Sequence, residues 1–169
     1  QAQKVFALDV GYGLLHEKLR KNPQVIPLER INIRYYVPQD LPEPIQGITI
    51  DVSFISLRLV FPVISSLLPK GGICIALIKP QFEAGRDKVE RGGLVRKKET
   101  HIQVLKDVLE SARDNHLQLQ GITFSPIQGG GGNIEYLAYW MKCANFFDKT
   151  EFGDIIRKEV QEAHHFFTK

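Results

Sequence analysis

Short apolar runs alternate along the chain with longer stretches of helical periodicity, the pattern of an α/β domain. Lys4–Val10 (KVFALDV) reads as a buried strand, and Leu14–Lys21 as a helix with Leu14, Leu15 and Leu19 on its inner face. Val25–Leu28 is a second short strand. A loop over Glu29–Gln39 leads into Leu41-Pro42-Glu43-Pro44, where each proline biases the residue before it away from helix. Gly47–Val52 is the next strand, and Leu57–Leu68 a helix whose Leu59, Val60, Val63, Ile64 and Leu67 recur at helical spacing. Pro69-Lys70-Gly71-Gly72 stops that helix, and Ile73–Lys79 is an almost wholly apolar strand. Pro80–Lys98 has almost no apolar periodicity, and loops of such length inside compact domains are usually functional or mobile. Glu99–Asn115 returns to helix, with Ile102, Leu105, Val108, Leu109 and Ala112 facing inward. Leu117–Phe124 and Ile134–Met141 are strands, separated by Ser125-Pro126-Ile127 and the glycine run Gly129–Gly132. Lys149–Lys169 closes the chain as an amphipathic helix carrying Phe152, Ile155, Ile156, Val160, Ala163 and Phe167. The whole predicts a doubly wound α/β fold with an antiparallel, hairpin-like pair near its end.

Composition bounds the class. The 169 residues suffice for one domain with its own core. Residues 1–145 are read as that domain, and 146–169 as a helix packed on it. A net charge of +3 permits a polyanionic partner without demanding one. Cys74 and Cys143 show neither metal-ligand spacing nor a disulfide framework, so they read as buried thiols of a reducing, cytoplasmic protein. No apolar stretch reaches the length of a membrane span. The chain opens without Met and almost directly on a strand, as a piece of a longer protein would.

The chemistry concentrates where strands end. Ile48-Thr49-Ile50 runs into Asp51, and Ile73-Cys74-Ile75-Ala76-Leu77-Ile78 runs into Lys79-Pro80. In an open parallel sheet the carboxyl ends of the strands line the ligand crevice, so an acid and a base delivered there by successive strands point to a reaction centre. The competing reading is a structural ion pair capping two strands. Asp9, at the end of the first strand, suits the paired donors of a ribose, although Asp is equally at home as a helix N-cap. Asp9-Val10-Gly11-Tyr12-Gly13 only partly matches a dinucleotide fingerprint, because His16 stands where its third small residue would be. Gly129–Gly132 lacks a following Lys-Ser or Lys-Thr and reads as a turn delivering Asn133 and Glu135. Glu135 is either part of the site or a solvent-facing strand residue. His164 and His165 read as surface residues, and Tyr136, Tyr139 and Trp140 as core and edge aromatics. Arg86, Lys88, Arg91, Arg96, Lys97 and Lys98 form the one strongly basic stretch, beginning just after Lys79 and suited to a phosphodiester backbone.

Read in order, DVGYG, LERINIRY, DLPEPI, IDVSFISL, LLPKGGICIALIKPQFEAGR, GGLVR and GNIEYL resemble the hemolysin A (TlyA) family, within the FtsJ-like S-adenosylmethionine-dependent RNA methyltransferases. The resemblance spans Val5 to Lys142 and implies a Rossmann-like methyltransferase sheet flanked by helices. It implies methyl transfer from S-adenosylmethionine to a ribose 2′-hydroxyl, with ribosomal RNA or a ribosomal subunit as partner. Asp51, Lys79 and Glu135 match the last three members of that family's catalytic Lys-Asp-Lys-Glu set. Asp9 matches the acid that holds the cofactor ribose, Asn32 falls where a polar residue approaches the adenine, and Asp51 also faces the cofactor's positive charge. The first catalytic lysine, the glycine-rich cofactor loop and the central first strand of the sheet would precede Gln1. Lys79 would serve as a base or as a charged orienting group. Arg86, Lys88, Arg91, Arg96 and Lys97 would contact RNA, and no metal is implied. A non-catalytic RNA-binding or assembly module is the alternative. Membrane lysis, which the family name suggests, is a distant third, since the terminal helix belongs on a sheet face.

Overall fold

The computed structural model describes residues 2–143 and 152–168. The predicted start of the terminal helix at residues 149–151 therefore lies outside the described residues. The chain divides into two units, Gln1–Pro42 and Glu43–Lys169.

The first unit holds two parallel strands, β1 (Val5–Asp9) and β2 (Val25–Glu29), which pair from Val5↔Val25 to Asp9↔Glu29. Between them the predicted eight-residue helix contracts to α1 (Glu17–Arg20), with His16 as its N-cap and Nδ1 accepting from Lys18 N at 3.2 Å. Leu14 precedes that cap and is 71% exposed, and α1 buries none of its residues, so the expected inner face is absent. The helix starts late because Gly13 adopts a φ of +71° and its N–H is drawn to Glu29 Oε1 at 2.8 Å, which holds the preceding segment in a bend.

The second unit is built on a four-stranded sheet. β3 (Gly47–Ile50) pairs in parallel with β4 (Ile73–Ile78). β6 (Tyr136–Lys142) runs antiparallel to both β4 and β5 (Leu117–Phe124), giving the order β3-β4-β6-β5. The predicted antiparallel pair is thus present, and it extends into the sheet interior. The predicted helix 57–68 breaks into a 3-10 turn, Leu57–Leu59, and α2 (Phe61–Leu67). Pro62 cannot donate to a preceding carbonyl, so the α-helical ladder begins only around it. The buried stripe is Leu57, Val60, Phe61, Ile64 and Leu68, whereas Leu59 is 44% exposed. Lys142 Nζ donates to the carbonyls of Ser65 and Leu68, giving α2 a cationic C-terminal cap.

Within Pro80–Lys98 the chain forms α3 (Pro80–Glu83), a 3-10 turn at Arg86–Lys88 and a tight turn closed by the Glu90–Leu94 bridge. It is ordered, not structureless, because its backbone groups find local partners. α4 (Lys98–Asp114) follows its predicted span closely, and α5 (Gly153–Phe167) lies within its own. Phe61 of α2 meets Trp140 edge-on at 5.4 Å, and His101 of α4 meets Tyr136 at 5.7 Å, so these helices cover the face of the sheet that carries Cys74, Ala76 and Ile78. On the opposite face Ile73, Ile75 and Leu137 stay 37–39% exposed. The all-apolar run therefore marks a central strand whose faces are unequally covered in this unit.

His101, absent from the expected inward set, is fully buried, while Ile102 is only half-buried. Its Nε2 lies 2.8 Å from Val95 O and its Nδ1 2.9 Å from Tyr136 Oη. His164, expected at the surface, is half-buried with its ring 4.9 Å from that of His101. Burial pushes the His101 imidazole down to about 4, aided by the nearby His164. The unfolded chain therefore takes up a proton near pH 6.5 that the folded protein refuses until about pH 4. Stability present at neutral pH is lost as the pH falls through that window, by about 3 kcal/mol from this group. His101→Gln, which keeps a donor and an acceptor but does not titrate, is expected to flatten the fall in urea midpoint between pH 7 and pH 4.5. Parallel curves for variant and wild type would refute this account of acid sensitivity.

Candidate active site

The carboxyl ends of β3 and β4 and the amino end of β6 meet at one rim of the second unit's sheet. Asp51 follows β3, and Lys79 follows β4 with Pro80 locking the turn into α3. Lys79 Nζ lies 2.7 Å from Asp51 Oδ1 and donates to Ser53 Oγ at 3.2 Å. The lysine side chain is 13% exposed and the aspartate 71%, so the cation is held back in the protein while its partner faces outward.

Glu135 stands at the same rim. The register Ile78↔Tyr136, continued by one residue, sets Lys79 opposite Glu135. Glu135 is only 6% exposed, so it is not the solvent-facing strand residue that its alternation allowed, and it accepts from Gln81 Nε2 at 2.8 Å. Gly129 permits this placement, since a β-carbon there would overlap Glu135 Oε1.

Three features of the rim were missed in the sequence. Phe54 adopts a φ of +63°, unusual for a bulky residue, and is 91% exposed while its ring sits 4.9 Å from that of Phe82. An apolar face is thus held out beside Lys79, whose Nζ lies 6.0 Å from the Phe82 ring centroid. Gln81 is the second feature, through its bond to Glu135. Glu83 is the third: it is buried, and accepts from Ser56 Oγ at 2.5 Å and from Leu57 N at 2.7 Å, with Arg58 Nε 3.6 Å away. It thereby ties α3 to the segment that carries Asp51, Ser53 and Phe54. The one available signal was an acid four residues beyond Lys79, in a segment otherwise read as loop.

The expected basic residues Arg86, Lys88, Arg91, Arg96 and Lys97 are all exposed, and Arg96 pairs with Glu90 at 3.1 Å. In the first unit Asp9 is exposed and does not cap α1. Its Oδ1 instead accepts from Gly11 N at 2.6 Å, which leaves the second carboxylate oxygen as an acceptor. Asn32 Oδ1 caps a 3-10 turn at Ile33–Tyr35 by accepting from Arg34 N at 3.0 Å.

Residues 1–142 match the FtsJ-like methyltransferase family. The chain belongs to that family. It is 47% identical over 166 residues to the "Putative rRNA methyltransferase YqxC" of Bacillus subtilis, covering 96% of this chain and 59% of that protein. It is 35% identical over 141 residues to the "16S/23S rRNA (cytidine-2'-O)-methyltransferase TlyA" of Mycobacterium tuberculosis, covering 83% of this chain and 52% of that protein. Among solved structures it superposes with a TM-score of 0.93 on a "Putative hemolysin from Streptococcus thermophilus", at 42% identity, covering 99% of this chain and 60% of the other. A SAM-dependent methyltransferase of Methanosarcina mazei shares the fold alone, at TM-score 0.54 and 11% identity over 84% of this chain and 83% of that one. The FtsJ-like chain described here thus spans less than two thirds of the curated relatives it matches, and its Rossmann-like α/β class is that of the methyltransferases.

Burial holds the Glu83 carboxyl above the usual carboxylate range, against the opposing pull of Ser56, Leu57 and Arg58. A raised folded value means that Glu83 contributes its stability below the unfolded carboxylate range and loses it as the pH rises through the folded value. Glu83→Gln, which cannot ionise, is therefore expected to close its stability gap to wild type between pH 4.5 and pH 8. Glu83→Ala, which leaves the Ser56 and Leu57 donors unpaired, is expected to cost about 2–4 kcal/mol. Chemical denaturation of both variants across that pH range tests the assignment, and equal, pH-independent losses would contradict it.

Proposed function

We propose that the complete protein transfers the methyl group of S-adenosylmethionine to a ribose 2′-hydroxyl of ribosomal RNA, presented alone or in a ribosomal subunit. The observation that carries this reading is the Lys79–Asp51 pair at 2.7 Å, on the rim where Glu135 is also buried. The cofactor, when bound, supplies a methyl group on a sulfonium; what remains for the protein is alignment and the handling of one proton. Asp51 and Ser53 each take one position on Lys79 Nζ. One position then remains in either protonation state: a third N–H on the ammonium, which orients the 2′-oxygen, or a lone pair on the amine, which accepts its proton. Asp51 and Glu135 place negative charge on the rim where a cationic cofactor is to be balanced. In the first unit the exposed carboxylate of Asp9, fixed by the Gly11 amide, fits the paired donors of a ribose. Asn32 retains its amide donors for the adenine.

The exposed Arg86, Lys88, Arg91, Arg96 and Lys97 supply the phosphate-binding charge that an RNA substrate requires. The free thiols of Cys74 and Cys143 suit the reducing cytoplasm where ribosomes are assembled. Among the described residues no helix is long and apolar enough to cross a membrane, and α5 buries Ile156, Val160 and Ala163 within its own unit.

Lys79→Ala in the complete protein is expected to lower kcat for methyl transfer to unmodified rRNA by roughly 10²–10⁴-fold. Cofactor affinity, measured by calorimetry, is expected to change little. Turnover that survives the substitution undiminished removes Lys79 from the reaction. Tight rRNA binding without any cofactor binding by the wild type would favour an assembly module instead.

A further inference from the structure

The basic loop and the strand that follows Glu135 are joined through one residue, Val95. Val95 follows the tight turn in which Glu90 N donates to Leu94 O at 2.8 Å and Gly93 N to Glu90 O at 3.0 Å. It is 3% exposed, although its neighbours Arg96 and Lys97 are exposed. Its N–H donates to Asn133 Oδ1 at 3.0 Å, and its carbonyl accepts from His101 Nε2 at 2.8 Å. A carbonyl has no proton to give, so Nε2 carries the imidazole hydrogen and Nδ1 accepts from the Tyr136 hydroxyl at 2.9 Å. Asn133 is 3% exposed and uses its remaining groups fully, with Nδ2 donating to Gly93 O at 2.9 Å and to Gly130 O at 3.0 Å.

Asn133 and Tyr136 flank Glu135 on either side in sequence. Both reach Val95 of the basic loop, Asn133 directly at its N–H and Tyr136 through His101 at its carbonyl. The charged side chains project from the loop, while its backbone is fastened to the segment that bears the rim carboxylate. A hinge between two independent elements would leave these backbone groups to water; here they are buried and paired, which makes independent movement costly.

Resting on the methyltransferase reading above, we propose that Asn133 is a positioning residue that fixes the loop Arg91–Lys97 relative to Glu135, so that RNA phosphates gripped by Arg91, Arg96 and Lys97 are held at a set distance from the transfer centre. It acts through the Val95 and Gly93 peptides and needs no contact with substrate. Its loss removes the loop's tie to the segment before Glu135, while His101 still holds the Val95 carbonyl and Tyr136, and Gln81 still holds Glu135. The cost therefore falls on RNA binding more than on the chemical step.

The test is a double-mutant cycle in the complete protein, with unmodified rRNA as the probe. Asn133→Ala is expected to raise KM for rRNA roughly tenfold, while kcat falls less than about threefold and cofactor affinity is unchanged. The triple variant Arg91→Gln, Arg96→Gln, Lys97→Gln removes the charges that Asn133 positions. Adding Asn133→Ala to it is expected to cost less than about threefold further. A full tenfold loss in the triple background, or an unchanged KM in the single variant, overturns the proposal, because a merely structural residue would act independently of those charges. If Asn133→Ala does not fold, as judged by thermal unfolding, Asn133→Ser takes its place in the same cycle. A wild type that binds rRNA but never methylates it defeats the functional reading alone, and the cycle is then scored on rRNA Kd. A wild type that does neither defeats both.

Discussion

Everything at the rim depends on β6 lying antiparallel between β4 and β5. Parallel strands bring only their carboxyl ends to the crevice. Because β6 runs the other way, its amino end arrives beside the carboxyl end of β4, and the residue before it lines up with the residue after β4. That inversion is what brings Glu135 to the edge where Lys79 emerges. A slip of one residue in this pairing would turn every β6 side chain to the opposite face. The register is secured by the core itself: Tyr136, Ala138 and Trp140 are buried on the helix-covered face, and Trp140 and Tyr136 are wedged against Phe61 and His101. Packing at the centre of the unit and the placement of charged side chains at its rim are therefore consequences of one alignment.

The ends of β3 and β4 were legible because an apolar run that stops at a charge can be read without knowing what surrounds it. Asp51 and Lys79 are such stops, and the structure pairs them. Glu135 carries no comparable signal. It alternates with Ile134 and Leu137 like any half-exposed strand residue, and its burial is set by Gln81 and Gly129, one of them 54 residues away. Long-range partners of this kind leave no trace in local periodicity. Glu83 escaped for the same reason, since its partners Ser56 and Leu57 lie 27 and 26 residues upstream.

His101 is a different case. It sits on the α4 stripe of Leu105, Val108 and Ala112 at helical spacing, so the period did announce its inward position. The inward set read from the sequence holds Ile102 and leaves His101 out. The rule that polar residues avoid the core fails wherever two buried partners await them, here a hydroxyl and a carbonyl. The helix expected at Leu14–Lys21 erred the other way: local apolar spacing was present, but the Gly13 bend and the Glu29 bond consumed the residues that would have begun it.

One principle orders these polar interiors. Glu83, Asn133 and His101 are each buried, and each bonds to the backbone of a segment outside the sheet. A loop that must hold a charged group in place cannot rely on apolar packing, because it has too few apolar side chains. It can be fixed through its peptide groups, provided that a buried side chain satisfies them, and an unsatisfied buried group costs about 1–3 kcal/mol. That penalty makes the loop conformation nearly single-valued: releasing the segment from Ser56 to Leu57, or the peptide at Val95, would strand donors and acceptors away from water. The exposed groups at the rim, Asp51 and the basic side chains, can then stay solvated without becoming mobile. Precision at the surface of this unit is thus set by hydrogen bonds buried just beneath it.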